Sequence, residues 1–191
     1  MATQIPEADP ALIAAARAGD PAAHAQLYEL FAPLVYTLGR RMLVSPALAE
    51  DVLQETFVEV LGKIDSFRGD AGFGFWVRRI AVNKCLMHLR SSWVARRSGD
   101  ELPEESSHDD GAELLEQRHA LETALAALPP AARAVVWLHD VEGYTHREIA
   151  QSMGKTPSFS KSQLARAHER LRELLAHHAA EDGVELCAPV L

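Results

Sequence analysis

Apolar residues recur in this 191-residue chain at three- and four-residue intervals, the period of a helix with one buried side. Apolar–polar alternation with β-branched runs, the mark of a strand, is absent throughout. The period predicts helices at residues 9–18, 21–43, 46–64, 73–93, 113–128, 131–141, 145–153 and 157–178, and so an all-α fold. Over 46–64, Ala49, Val52, Leu53, Thr56, Phe57, Val60 and Leu61 make a broad core face, while Asp51, Gln54, Glu55 and Val58 share one outward strip. Such a strip suits docking on a basic partner helix, and it suits an ordinary solvated face as well. Over 73–93, Trp76, Ile80 and Met87 lie together, with Arg79, Asn83 and Arg90 as a polar stripe beside them. Val82, Cys85, Leu86 and Leu89 face another way.

The last two predicted helices carry the clearest local chemistry. Thr145 followed by Glu148 is a capping box, and Ile149, Ala150 and Met153 form the apolar stripe behind it. Gly154 can end that helix with positive φ, and Thr156-Pro157 opens the next one. Leu164, Ala167, Leu171 and Leu175 give the second helix its buried side, and Ser158, Phe159, Ser162, Ala165 and Arg166 fall opposite. Two helices across a tight turn, the second polar and basic outside, is the layout of a helix-turn-helix reader of DNA. A plain helical hairpin with a glycine turn has the same pattern.

Two other segments set the organisation. Between residues 64 and 80, three glycines and three phenylalanines within nine positions predict a loop with exposed rings leading into a helix. Aromatic rings beside basic residues suit unstacked nucleic-acid bases, worth about 1–3 kcal/mol per stacked base, and the same rings could instead be core. Residues 98–111, SGDELPEESSHDDG, are acidic and rich in turn residues, as a flexible linker would be. The expected division is a four-helix domain at 9–95, a linker at 96–112, a helix-turn-helix domain at 113–178 and a loose tail at 179–191.

The formal charge of −8 argues against nucleic acid only until it is divided along the chain. Residues 96–118 hold three arginines against eight acids, a balance of −5. Residues 67–97 hold seven basic side chains against Asp70, or +6, and residues 143–178 hold six against three, or +3. Phosphate attraction is local, being screened beyond about 8–10 Å, so two basic patches outweigh the total.

Catalytic and metal chemistry find no pattern. The nine histidines form no ligand spacing with cysteine or carboxylate, and no phosphate loop or nucleophile motif is present. The expectation is a non-enzyme with no metal and no cofactor. Cys85 and Cys187 offer no disulfide framework. The acidic start lacks a signal segment and no apolar run spans a bilayer, so the expected location is the cytoplasm.

Taken in order, AEDVLQETFVEVLGKIDSF, RGDAGFGFWVRRIAVNKCLMHLR and LPPAARAVVWLHDVEGYTHREIAQSMG resemble a bacterial RNA polymerase sigma factor of the extracytoplasmic-function group. The resemblance covers most of residues 10–176. It implies that the first domain docks on core polymerase and melts promoter DNA, while the second reads the −35 element. Asp51, Gln54, Glu55 and Val58 would then dock on the clamp helices of the largest subunit, and the second domain on its flap partner. Phe67, Arg68, Phe73, Phe75, Trp76, Arg79 and Asn83 would capture −10 bases. Ser158, Lys161, Ser162, Ala165 and Arg166 would read the −35 element. An anti-sigma factor, membrane-anchored in many members, would hold the protein in a 1:1 complex, the factor otherwise being a monomer.

This chain departs from the family at its second basic patch. Ser160 stands where a branched apolar residue is usual, and Phe159 is unusual on a groove-facing side. Either Phe159 meets thymine methyls, or the helix is rotated so that Phe159 fills the space Ser160 leaves; the rotated arrangement is the one expected. The rival function is a dimeric helix-turn-helix regulator that never joins polymerase.

Overall fold

The computed structural model describes the backbone of residues 5–97 and 114–182, and most of the expected linker and most of the expected tail lie outside that description. Among the described residues the elements are helical throughout: α1 (Pro10–Arg17), α2 (Pro21–Leu43), α3 (Pro46–Gly62), α4 (Phe73–Arg97), α5 (Leu114–Ala126), α6 (Pro130–Val136), α7 (His146–Met153) and α8 (Pro157–Asp182). A 3-10 turn at Ile64–Ser66 follows α3, and a π-helical turn at Trp137–Val141 extends α6. Helix α8 continues to Asp182, four residues into the expected tail, and α4 runs to Arg97. No helix among the described residues is long and apolar enough to cross a membrane.

The chain divides into two units, Met1–Ser106 and Ser107–Leu191. Within the first, α2 packs against α1, α3 and α4. Helices α1, α2 and α3 begin by a repeated device, an acceptor side chain followed by proline. Asp9 accepts from the Ala11 N–H at 2.7 Å, Asp20 from the Ala22 N–H at 2.9 Å and Ser45 from the Leu48 N–H at 3.4 Å. Each acceptor satisfies a donor the helix cannot, and the proline that follows gives up an N–H the first turn does not need. Leu27, Phe31, Val35 and Met42 of α2 meet Val52 and Val60 of α3 and Phe73, Val77, Val82 and Leu86 of α4 in one buried core. Helices α2 and α3 come close where Gly39 faces Ala49: a Cβ at Gly39 would lie 3.1 Å from the Ala49 Cα.

In the second unit, α8 packs against α5, α6 and α7. Leu128, Val135, Leu138, Ile149, Met153, Leu164, Ala167 and Leu171 are buried there. Arg133 is buried with them, its Nη1 donating to the Ala126 carbonyl at 3.0 Å and the Leu128 carbonyl at 3.2 Å. Those carbonyls lie at the C-terminal end of α5, where a helix leaves acceptors unsatisfied. A charged side chain thus takes up the turn that leads into α6.

Candidate functional site

Three surfaces carry the residues singled out by sequence. On α3, Asp51, Gln54 and Val58 are exposed, Val58 at 75%, and Glu55 is half-buried. Helix α4 reaches across to this strip. The His88 Nε2 lies 3.2 Å from Glu55 Oε1, and Lys84 Nζ lies 2.9 Å from Glu59 Oε2 and 3.7 Å from Glu55 Oε2. The hydrogen bond to Glu59 raises the Lys84 pKa, against the effect of burial, and the charges of Glu59 and Glu55 add to the rise. Glu59 is lowered in turn by hydrogen bonds from Lys63 and Lys84. Lys84 and His88, four residues apart on α4, are the partners that reading α3 alone missed. They turn one end of an acidic strip into a mixed ionic cluster and leave Asp51 and Gln54 outward.

The second surface belongs to α4 and the loop before it. Phe75, Arg79, Asn83, Met87 and Arg90 form one exposed strip at helical spacing, and Arg68 is exposed on the loop. Phe75 is 57% exposed and Met87 51%, so Met87 sides with the polar stripe and not with buried Ile80, as the helical wheel had placed it. Phe73 requires a larger correction: at 1% exposure it is core and not an open ring. Its ring lies 5.5 Å from Phe31, 5.0 Å from Phe67 and 5.4 Å from Trp76. Phe67 and Trp76, half-buried and 5.5 Å apart, lean on it. Of the three phenylalanines expected to be exposed, Phe75 alone stands clear; Phe67 and Phe73 join Trp76 in an aromatic cluster. Tilted and edge-on pairs of this kind add about 0.5–1.5 kcal/mol each beyond burial.

The third surface is the helix-turn-helix. The Thr145 hydroxyl accepts from the Glu148 N–H at 3.3 Å, and the Glu148 carboxylate accepts from the Thr145 N–H at 2.8 Å. The Thr145 hydroxyl also donates to that carboxylate at 2.6 Å, and this bond with the one from the Thr145 N–H holds the Glu148 pKa below its ordinary value. Gly154 closes α7 with φ of 63°, and Lys155 N–H returns to the Ala150 carbonyl at 2.8 Å. Thr156 then caps α8, accepting from the Phe159 N–H at 3.2 Å. Ser158, Lys161, Ala165 and Arg166 are exposed on α8, and half-buried Ser162 donates to the Phe159 carbonyl at 2.9 Å.

The expected rotation of α8 does not occur. Ser160 is 0% exposed and Phe159 is half-buried, with Lys155 Nζ 5.8 Å from its ring centroid. The reason is a hydrogen bond: the Ser160 hydroxyl lies 3.0 Å from His146 Nδ1. A buried hydroxyl with a partner costs little, so nothing drives Phe159 inward. His146 stacks on His139 with centroids 4.6 Å apart, and Asp140 joins His139 at 2.7 Å and His168 at 2.6 Å. Burial raises Asp140, but hydrogen bonds from His168 and His139 outweigh it and hold the carboxyl low. Burial lowers His146, helped by the charges of His139 and Lys161 and opposed by Asp140. These histidines knit α8 to the π-helical turn and to α7. Among the described residues no cluster of His, Cys, Asp and Glu could hold a metal ion.

Comparison with known proteins follows the same division. The Sigma-70 region 2 profile matches residues 27–94, and the Sigma-70, region 4 profile matches residues 118–171. The chain is 33% identical over 171 residues to the ECF RNA polymerase sigma factor SigM of Mycobacterium tuberculosis, covering 88% of this chain and 85% of that protein. It is 35% identical over 163 residues to the RNA polymerase sigma factor CarQ of Myxococcus xanthus, covering 83% and 92%. Among solved structures, the sigma factor RpoE of Bartonella quintana, in complex with the anti-sigma factor NepR, matches with a TM-score of 0.55 at 25% identity, covering 80% of this chain and 96% of that one.

Proposed function

This chain belongs to the extracytoplasmic-function group of the sigma-70 family, and on that premise we propose that it joins core RNA polymerase and directs initiation at specific −35/−10 promoters. The observation that carries the reading is the pairing of two region-2 and region-4 units, each with an exposed basic helix face. Such a factor binds and orients; it catalyses nothing itself, and it acts in the cytoplasm.

Asp51, Gln54, Glu55 and Val58 dock on the clamp helices of the largest subunit, with Lys84 and His88 holding Glu55 in place. The second unit sits at the flap. Phe75 with Arg68, Arg79 and Asn83 takes up unpaired −10 bases, while the cluster of Phe67, Phe73 and Trp76 holds the start of α4. Opening costs a few kcal/mol per base, and capture offsets it. Ser158, Lys161, Ser162, Ala165 and Arg166 read the −35 duplex from the major groove, where helix side chains reach base edges. Half-exposed Phe159 at the same helix end suits contact with a thymine methyl. Two weak readers joined by a linker gain affinity through effective concentration. An anti-sigma factor, membrane-anchored, holds the protein inactive in a 1:1 complex; the Bartonella relative solved with NepR supports that control.

Reconstitution with sigma-free core polymerase tests the reading. The wild-type chain should co-elute with the enzyme and start transcription at discrete sites. Asp51→Arg combined with Gln54→Arg should weaken association at least about tenfold, as expected where charge complementarity sets binding, and leave the fold intact because both side chains are exposed. A dimeric regulator working apart from polymerase would show neither association nor that loss.

A further inference from the structure

The loop between α3 and α4 is tied at both ends by α1 and the segment before it. Arg17, the last residue of α1, donates from Nε to the Ile64 carbonyl at 3.2 Å and from Nη2 to the Phe67 carbonyl. At the other end, the Glu7 carboxylate accepts from the Phe73 N–H at 3.0 Å. Phe73 opens α4, where backbone N–H groups lack partners within the helix and a negative charge is favoured. Two glycines make this approach possible. A Cβ at Gly72 would lie 1.9 Å from Glu7 Oε1, and one at Gly74 would lie 2.2 Å from the Pro6 carbonyl oxygen and 2.6 Å from Ile5 Cγ2. A side chain at Gly74 would push the segment away, and one at Gly72 would displace the Glu7 carboxylate.

Between the ties lie exposed Arg68, Gly69 and Asp70, and just past them exposed Phe75. Gly69 turns the chain with φ of 81°. A loop that must hold an unstacked base works best when ordered beforehand; otherwise its ordering entropy is added to the cost of opening the duplex.

We propose that Glu7 and Arg17 are positioning residues that preset the 64–75 loop for capture of unpaired promoter bases. The proposal rests on the promoter-opening reading above. Neither residue touches DNA; each acts through backbone groups of the loop. The ties are charge-assisted, so losing one frees a loop end and not merely a side chain.

The full chain bound to core polymerase provides the test, on a promoter found by mapping its own transcripts. One template is fully duplex; the other carries a mismatched, pre-opened −10 segment. Glu7→Ala and Arg17→Ala should co-elute with core as wild type does. On duplex they should transcribe about tenfold less, the scale of one charge-assisted hydrogen bond, with matching loss of permanganate-reactive −10 thymines. The pre-opened template should bring them within about threefold of wild type. Glu7→Gln keeps an acceptor for the Phe73 N–H without the charge and should fall between wild type and Glu7→Ala on duplex, and near wild type on the pre-opened template. Normal opening by the alanine variants, equal loss on both templates, loss of core association, or a Glu7→Gln variant as poor as Glu7→Ala would each overturn the proposal. A wild-type chain inactive on both templates would instead overturn the sigma reading itself, and this inference with it.

Discussion

The two units secure their working surfaces in opposite ways. In the second, the devices are local: Thr145 and Glu148 cap α7 across three residues, Gly154 turns the chain, and Thr156 caps α8 across three more. In the first, the loop ahead of α4 hangs on partners 47, 50 and 66 positions away. Local caps form as soon as their own helix does, whereas distant ties wait until the unit has assembled. A reader of duplex DNA needs a rigid helix face, which short-range capping supplies. A surface that receives flipped bases needs a shaped loop, and shape in a loop comes from tertiary contacts.

The sharpest way to break that contrast is to compare Phe73 with Phe75, two neighbours of opposite environment. Phe73→Ala should destabilise the first unit by about 3–5 kcal/mol, the cost of emptying a buried aromatic site, measured by chemical denaturation. Phe75→Ala should change stability by no more than about 0.5 kcal/mol and yet reduce promoter opening. Equal stability losses would mean that the aromatic cluster and the exposed ring are not distinct.

A smaller effect is expected at the local caps. Thr145→Ala removes the hydroxyl that accepts from the Glu148 N–H while the backbone N–H to the Glu148 carboxylate stays, and should cost the second unit about 1 kcal/mol, with no effect on the melting of the first. Spread of the loss to both units would contradict their local construction.

The smallest effect is a pH dependence confined to the second unit. His146 is held below its ordinary pKa, chiefly by burial and by the charges of His139 and Lys161. The unfolded chain therefore binds more protons as pH falls through about 6.5, and stability declines from there until the folded-state pKa is passed. Asp140, also held low, contributes stability above the ordinary carboxylate pKa and loses it as pH falls further, through its own folded-state value. Both shifts act in one direction. Thermal melting followed through signals of the second unit should show the decline, and His146→Gln should remove its first step.

The same contrast decides what could be read from the chain. The helix-turn-helix was legible down to its caps, because threonine, glutamate, glycine and proline act within one turn of where they stand. The helices of the first unit were legible from their period, and the three cap-then-proline starts at Asp9, Asp20 and Ser45 repeat the signal of Thr156-Pro157. The identity of the exposed ring was not. Phe73 and Phe75 differ by two positions in a glycine-rich run, and it is Phe73 that turns inward against the distant Phe31, its N–H held by the distant Glu7. Ser160 misled for a related reason: its partner, His146, lies fourteen residues back on another helix. A serine at a buried position reads as a void until the hydrogen bond that fills it is seen.

The central claim, that this chain guides polymerase to promoters, is tested most directly by sequencing the 5′ ends of RNA made by sigma-free core polymerase reconstituted with it on genomic DNA. The account predicts discrete start sites that share two spaced upstream elements and vanish without the chain. Starts scattered as with core enzyme alone would contradict it.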